Sequence, residues 1–191
     1  LTDAGGVRCW GSDGDGGLGR GSRQDDALVP GPVVGLPAGA VAVSAGDSHA
    51  CALIGEAVGD VWCWGRRTSG QTGTTVDGSQ PHYAPAQVTA LTADVVDIAT
   101  GHDHTCAVTE LGATWCWGQD NHAQLGPGGD GTDRATPVLV TGIPKAVEVA
   151  AGTDYSCIRA VDGSVWCWGR NHYGQLGSGV IWHTLVNSTI G

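Results

Sequence analysis

The tripeptide Cys-Trp-Gly occurs four times, at Cys9–Gly11, Cys63–Gly65, Cys116–Gly118 and Cys167–Gly169, with starts 54, 53 and 51 residues apart. So even a spacing marks a repeat protein, and a period near ~50 residues narrows the architectures available to it. Ahead of the last three copies lies a second element: Ala45-Gly46-Asp47-Ser48-His49-Ala50-Cys51, Gly101-His102-Asp103-His104-Thr105-Cys106 and Ala151-Gly152-Thr153-Asp154-Tyr155-Ser156-Cys157. Behind each Cys-Trp-Gly comes a glycine-rich turn, such as Gly70-Gln71-Thr72-Gly73 or Gly174-Gln175-Leu176-Gly177. In the first three units a Pro-x-Val pair of the Pro32-Val33-Val34 kind follows that turn.

Short runs of β-branched and aromatic residues bounded by Gly, Asp and Pro predict strands near Val41–Ser44, His49–Leu53 and Val61–Trp64, and again near Val95–Ala99 and Val147–Ala150. Composition points the same way. The chain holds 33 Gly and no Phe or Met, which favours frequent turns over long amphipathic helices. Several short strands per repeat, with no 3.6-residue periodicity, match a propeller blade better than a solenoid coil or helical array. The expected fold is all-β: a single partial propeller domain over residues 1–191, with units at 1–11 (partial), 12–65, 66–118, 119–169 and 170–191 (partial).

Alternation along a strand puts Trp62 and Trp64 on one face and Val61 and Cys63 on the other. If Cys51 faces Cys63, the two indoles lie beside Ala50 and Ala52; Trp115 and Trp117 then meet Ala107 and Thr105, and Trp166 and Trp168 meet Ile158 and Ser156. Cys106 and Cys116 flank the turn signature Glu110-Leu111-Gly112, and Cys157 and Cys167 flank Val161-Asp162-Gly163. The Cys51/Cys63 hairpin has gained two residues at its tip, between Ile54 and Asp60. Hairpin neighbours lie within disulfide reach, which predicts Cys51–Cys63, Cys106–Cys116 and Cys157–Cys167 and, with them, an oxidising compartment. A zinc site is the competing reading, but there is no Cys-x-x-Cys. Cys9 is left unpaired, because its hairpin partner would fall two positions before Leu1.

Taken together, Ala-Gly-x-x-His-x-Cys, Val-Trp-Cys-Trp-Gly and Asn-x-x-Gly-Gln-Leu-Gly, seen best at Val165–Gly177, resemble the regulator-of-chromosome-condensation repeat over residues 1 to about 179. The resemblance implies four-stranded antiparallel blades in a seven-bladed ring, of which this chain supplies about 3.5. In its cysteine-bearing form it is similar to repeats of large secreted or surface proteins of bacteria. It implies a secreted or cell-surface module for protein interaction or scaffolding, without catalytic activity, extracellular or at the cell surface with a periplasmic location as a variant. Two other branches of the family offer alternatives: secreted inhibitors of β-lactamases and a guanine-nucleotide exchange factor. The tail from Val180 to Gly191 departs from the pattern, lacking the loop that leads to Pro-x-Val.

A net charge of −10 argues against a nucleic-acid partner, and no stretch approaches the ~20 apolar residues of a membrane-spanning helix. No Gly-x-Ser-x-Gly, His-Glu-x-x-His or phosphate-loop motif is present, so no catalytic residue, cofactor or metal is expected. His49 and His104 read as buried hydrogen-bonding residues rather than as ligands in a Gly101–His104 metal nest. Asp13 and Asp15 read as turn residues rather than a calcium loop. The repeated tryptophans Trp62, Trp64, Trp115, Trp117, Trp166 and Trp168 read as packing between sheets. Residues that differ between units in the connecting loops are the candidates for binding a protein partner: Arg66, Arg67, His82, Tyr83, His122, Arg134, His172 and Tyr173. An open array of blades leaves unpaired edges, which also predicts self-association.

Overall fold

A computed structural model describes residues 1–55, 59–74, 81–181 and 185–188. Its regular structure is β throughout: β1 (Arg8–Gly11), β2 (Ala27–Pro32), β3 (Ala40–Ala45), β4 (His49–Gly55), β5 (Gly59–Gly65), β6 (His82–Gln87) and β7 (Val95–Thr100). There follow β8 (His104–Thr109), β9 (Thr114–Gly118), β10 (Arg134–Leu139), β11 (Ala146–Ala151), β12 (Tyr155–Ala160), β13 (Val165–Gly169) and β14 (Leu185–Ser188). The strands expected from the sequence are β3, β4, β5, β7 and β11, each longer by one to three residues.

Every pairing is antiparallel, and consecutive strands are neighbours except at β2/β3, β6/β7 and β10/β11. Three groups of four result, β3–β6, β7–β10 and β11–β14, preceded by the two-stranded β1–β2. A single residue pair, Gly59 with Val95, joins the first two groups of four. β7 packs against β3 and β4 on one side and β11 on the other, so the sheets succeed one another as blades. In the three groups of four, Cys-Trp-Gly ends the third strand of its sheet, and the first copy ends β1. A unit counted from one Cys-Trp-Gly to the next therefore carries the last strand of one sheet and the first three of the following one.

Register follows from the alternation of large and small side chains. Cys51 lies opposite Cys63, with Ala50 opposite Trp64 and Ala52 opposite Trp62. Cys106 faces Cys116 with Thr105 opposite Trp117, and Cys157 faces Cys167 with Ser156 opposite Trp168. All three cysteine pairs are disulfides. The longer first hairpin keeps its ladder to the end, pairing Ile54 with Asp60 and Gly55 with Gly59.

The apolar core lies between sheets. Trp117, on the second full sheet, packs among Leu53, Val61, Val88 and Ile98, and Trp168, on the third, among Val108, Leu125, Val140 and Val149. Trp64 closes over Val7, Val33 and Ala40. These three indoles have no exposed surface. At ~25 cal/mol per Å² over about 200 Å², each contributes on the order of 5 kcal/mol, enough to hold sheets that share almost no backbone pairing. The expectation of inter-sheet packing needs refining for the other three: by alternation Trp62, Trp115 and Trp166 share a face with Trp64, Trp117 and Trp168, yet they are only half-buried, each lying two residues further from the glycine that ends its strand.

Candidate functional site

Antiparallel order places the loops at two ends of the sheets. One end carries the first-to-second strand loops (46–48, 101–103, 152–154) and everything that follows Cys-Trp-Gly. The hairpin tips Glu110–Gly112 and Val161–Gly163 lie at the other. All eight candidate residues fall at or just beside the first end, so residues more than 100 positions apart in sequence share one face.

That end is fixed by a repeated backbone clamp. Gly65, Gly118 and Gly169 adopt φ of +99°, +105° and +108°. A side chain there would collide with the carbonyls of Ser48, Asp103 and Asp154, which accept the next backbone N–H, from Arg66, Gln119 and Arg170. Two residues past the glycine, Asp13, Asp120 and Asn171 accept the N–H of Leu18, Leu125 and Leu176 across the turn at 2.9–3.1 Å. Asp13 also pairs with Arg20 at 3.0 Å, so it is turn chemistry that holds it.

Beneath the clamp, each sheet is stapled to the next. The Thr105 hydroxyl donates to the Gln71 carbonyl at 2.8 Å and shares a 2.9 Å bond with His49 Nε2 of the preceding sheet. Trp117 Nε1 donates to the same carbonyl at 2.9 Å. One repeat later, Ser156 bonds the Gln124 carbonyl at 3.0 Å and His104 Nε2 at 2.9 Å, and Trp168 Nε1 donates to Gln124 at 2.9 Å. Since each hydroxyl spends its proton on a carbonyl, the imidazole Nε2 must carry the hydrogen. Burial, the leading cause, drives the His49 pKa down to about 3, with His104 and His102 adding repulsion. His104 falls to about 4, again mainly through burial, against the pull of Asp154. These two histidines are structural parts of the seams, and the described residues contain no group of three or more His, Cys, Asp or Glu able to hold a metal.

The loop residues separate into contacts and exposed positions. Tyr173 is 85% exposed, with Arg170 stacked at 5.8 Å from its ring centre. His172 is also exposed and meets His122 edge-on at 5.8 Å, next to a hollow of about 450 Å³ lined by Asp120, Asn121, Asp130 and Arg170. Arg134 pairs with Asp130 at 2.8 Å. Arg66 and Tyr83 border a second hollow, of about 260 Å³, with Arg23 and Asp15. Arg67 departs from the expectation of an exposed loop residue. Standing where the other units have Asp13, Asp120 and Asn171, it is only 4% exposed and lies 2.7 Å from His82 Nε2.

Sequence reasoning passed over Arg170, which holds Asp154 at 2.8 Å and reaches both His172 and Tyr173. Its signal was available, since it occupies the variable position after Cys-Trp-Gly that Arg66 also fills. His102, half-exposed between Asp47 (3.5 Å) and Asp103 (3.0 Å), was equally overlooked as a link between sheets. Cys9 is the one free thiol among the described residues. It lies opposite Gly31, and burial raises its pKa.

The profile of the regulator of chromosome condensation (RCC1) repeat matches residues 4–53, 58–108 and 112–158, and a second RCC1-repeat profile matches 95–124 and 146–175. The human E3 ubiquitin-protein ligase HERC2 is 33% identical over 185 residues, covering 94% of this chain and 4% of the ligase. The human probable E3 ubiquitin-protein ligase HERC4 is 38% identical over 86 residues, covering 44% of this chain and 8% of its own length. The chain thus spans a small fraction of these relatives. Among solved structures, human WBSCR16 superposes with a TM-score of 0.82 at 24% identity, covering 95% of this chain and 48% of that one. Yeast RCC1 (Prp20), solved with Kap60 bound, gives 0.79 at 24% identity and covers 94% and 43%.

Proposed function

The chain belongs to the RCC1 repeat family, and on that premise we propose that it is a protein-interaction module whose binding surface is the loop end of the blades. The observation that carries this reading is the contrast between the two levels of the structure. Disulfides, buried indoles and hydroxyl staples recur from sheet to sheet, whereas Tyr83, His122, His172 and Tyr173 differ from their counterparts, Arg66 and Arg170 stand where other units have Ser12 and Gln119, and all six lie at one end. A rigid scaffold with variable loops is the usual way to build a recognition surface. Yeast RCC1 (Prp20) has been solved bound to Kap60, and its binding to Gsp1p and histones is described with a second structure of it. Shared fold supports the class of partner and not its identity.

The same reading makes the module non-catalytic and places it outside the cell or on its surface. Three disulfides in so short a chain support an oxidising compartment. No perturbed acid–base pair in a cleft competes for the role of active site among the described residues. A photo-crosslinking residue installed in turn at Tyr173, His122 and Tyr83 is expected to capture a protein partner on the producing cells. Val161, 68% exposed at the opposite end, supplies the control. Equal capture at Val161, or none anywhere, would reject the loop end as the binding surface.

A further inference from the structure

We propose that the His49–Thr105 and His104–Ser156 contacts are acid-operated latches, which release one sheet from the next while each sheet, held by its own disulfide, stays folded. The geometry is the same in both seams. An imidazole with at most 2% exposure donates through Nε2 to a hydroxyl whose own hydrogen is committed to Gln71 or Gln124. Its other nitrogen, Nδ1, is buried without a hydrogen-bond partner in both His49 and His104. The glycines of the Ala-Gly-x-x-His and Gly-x-x-His elements, Gly46 and Gly101, leave just the space the rings fill. A proton arriving at Nδ1 would create a buried cation, which the Tyr155 backbone offsets only in part at His104, so the charged ring must leave the seam.

What the ring abandons is the hydrogen-bonded junction between sheets. Thr105 and Ser156 lose their donor, and the carbonyls that also receive Trp117 and Trp168 lose their fixed position. Asp97 of β7, whose carboxylate accepts the Val149 N–H across the second seam and whose pKa burial raises, is a further acid-sensitive group there, and the disulfides Cys51–Cys63, Cys106–Cys116 and Cys157–Cys167 hold the hairpins. The charges facing the latches come from neighbouring elements. His49 faces His104 and His102; His104 faces His102 and, from the next sheet's loop, Asp154, which is itself tied to Arg170. The third full sheet carries Tyr155 at the corresponding position, so its forward face has no such latch.

The sign follows from linkage. With native values of about 3 and 4 against an ordinary 6.5, the closed seams are most stable above pH 6.5 and lose stability as pH falls. Opening rises by about tenfold per pH unit per latch until the native values are reached. Trp117 and Trp168 fluorescence, read together with hydrogen exchange of seam and hairpin amides between pH 7 and 3.5, tests this on the oxidised chain. Wild type is expected to show red-shifted emission and faster exchange at the seams, reversibly, before the hairpins exchange. The double variant His49→Gln/His104→Gln keeps an amide donor toward Thr105 and Ser156 and should lose the transition. A flat wild-type response, or an unchanged transition in the double variant, overturns the proposal. Should that variant not fold, NMR titration of the two wild-type imidazoles decides. Protonation near 6.5 with unmoved seam signals refutes the latches; protonation well below 6.5, concurrent with seam opening, supports them.

Discussion

Glycine at the end of Cys-Trp-Gly has two separate reasons to be there. Gly118 needs φ of +105°, and its α-carbon faces the Asp103 carbonyl so closely that no side chain fits. Gly118→Ala should therefore cost more than the 1–3 kcal/mol of backbone strain alone, visible as a lowered urea midpoint. Gly174→Ala is the contrast: its φ is +75°, but an added methyl meets nothing within 4 Å, so only the strain is expected. The hydroxyls at the seams make a second residue-scale case. Thr105→Val keeps shape and removes a hydroxyl that serves Gln71 and His49 at once, leaving buried groups unpaired. A loss of about 2 kcal/mol is expected in chemical denaturation, and Ser156→Ala should behave alike at the next seam. A change within a few tenths of a kcal/mol would mean that the indoles alone hold the sheets.

The repeating element is a disulfide-closed hairpin with a large indole opposite a small side chain. In the second full sheet the bond closes a ten-residue separation around Glu110-Leu111-Gly112. On the chain-entropy account, replacing Cys106 and Cys116 together with serine should cost roughly 2–3 kcal/mol, measured against the oxidised wild type in the same denaturant. The fold should survive, because the cross-strand pairs Thr105/Trp117 and Ala107/Trp115 remain. The hairpin and its register were legible from the sequence, since a period of two and a fixed cysteine spacing leave one alignment that matches sulfur to sulfur and indole to small residue. The differing exposure of Trp64 and Trp62 was not legible, because the two share a face and differ only in how far along the strand the adjoining sheet covers it.

Across the whole molecule, exposed apolar surface collects at the two-stranded sheet. Trp10 is 61% exposed, Leu28 94% and Val29 71%, with Val41 and Val43 near 40% on the adjoining β3. In the other three copies the Cys-Trp-Gly indole is fully covered. Contiguous exposed side chains of this kind drive association. The 191-residue chain is expected to show concentration-dependent mass in light scattering, relieved in part by Leu28→Lys/Val29→Glu. A stable monomer at all concentrations would contradict this. The arrangement also explains why the candidate surface was only half readable. Membership in the loops was visible from the variability between units, and their collection at one end follows from antiparallel order.

Local periodicity therefore determined the all-β class, the hairpins, the cysteine pairs and the blade-like repeat, because each depends on neighbours within about a dozen residues. Contacts between sheets, His49 on Thr105 and Trp117 on the Gln71 carbonyl, and the turning of loop residues, Arg67 inward against His82 and Arg170 over Tyr173, were decided only by the tertiary structure. The physical reason is that a side chain's partner across a seam lies 46 or 56 residues away for Trp117–Gln71 and His49–Thr105, in a position set by how whole sheets stack. A repeat pattern names the residue types that return, and packing chooses which of them meet.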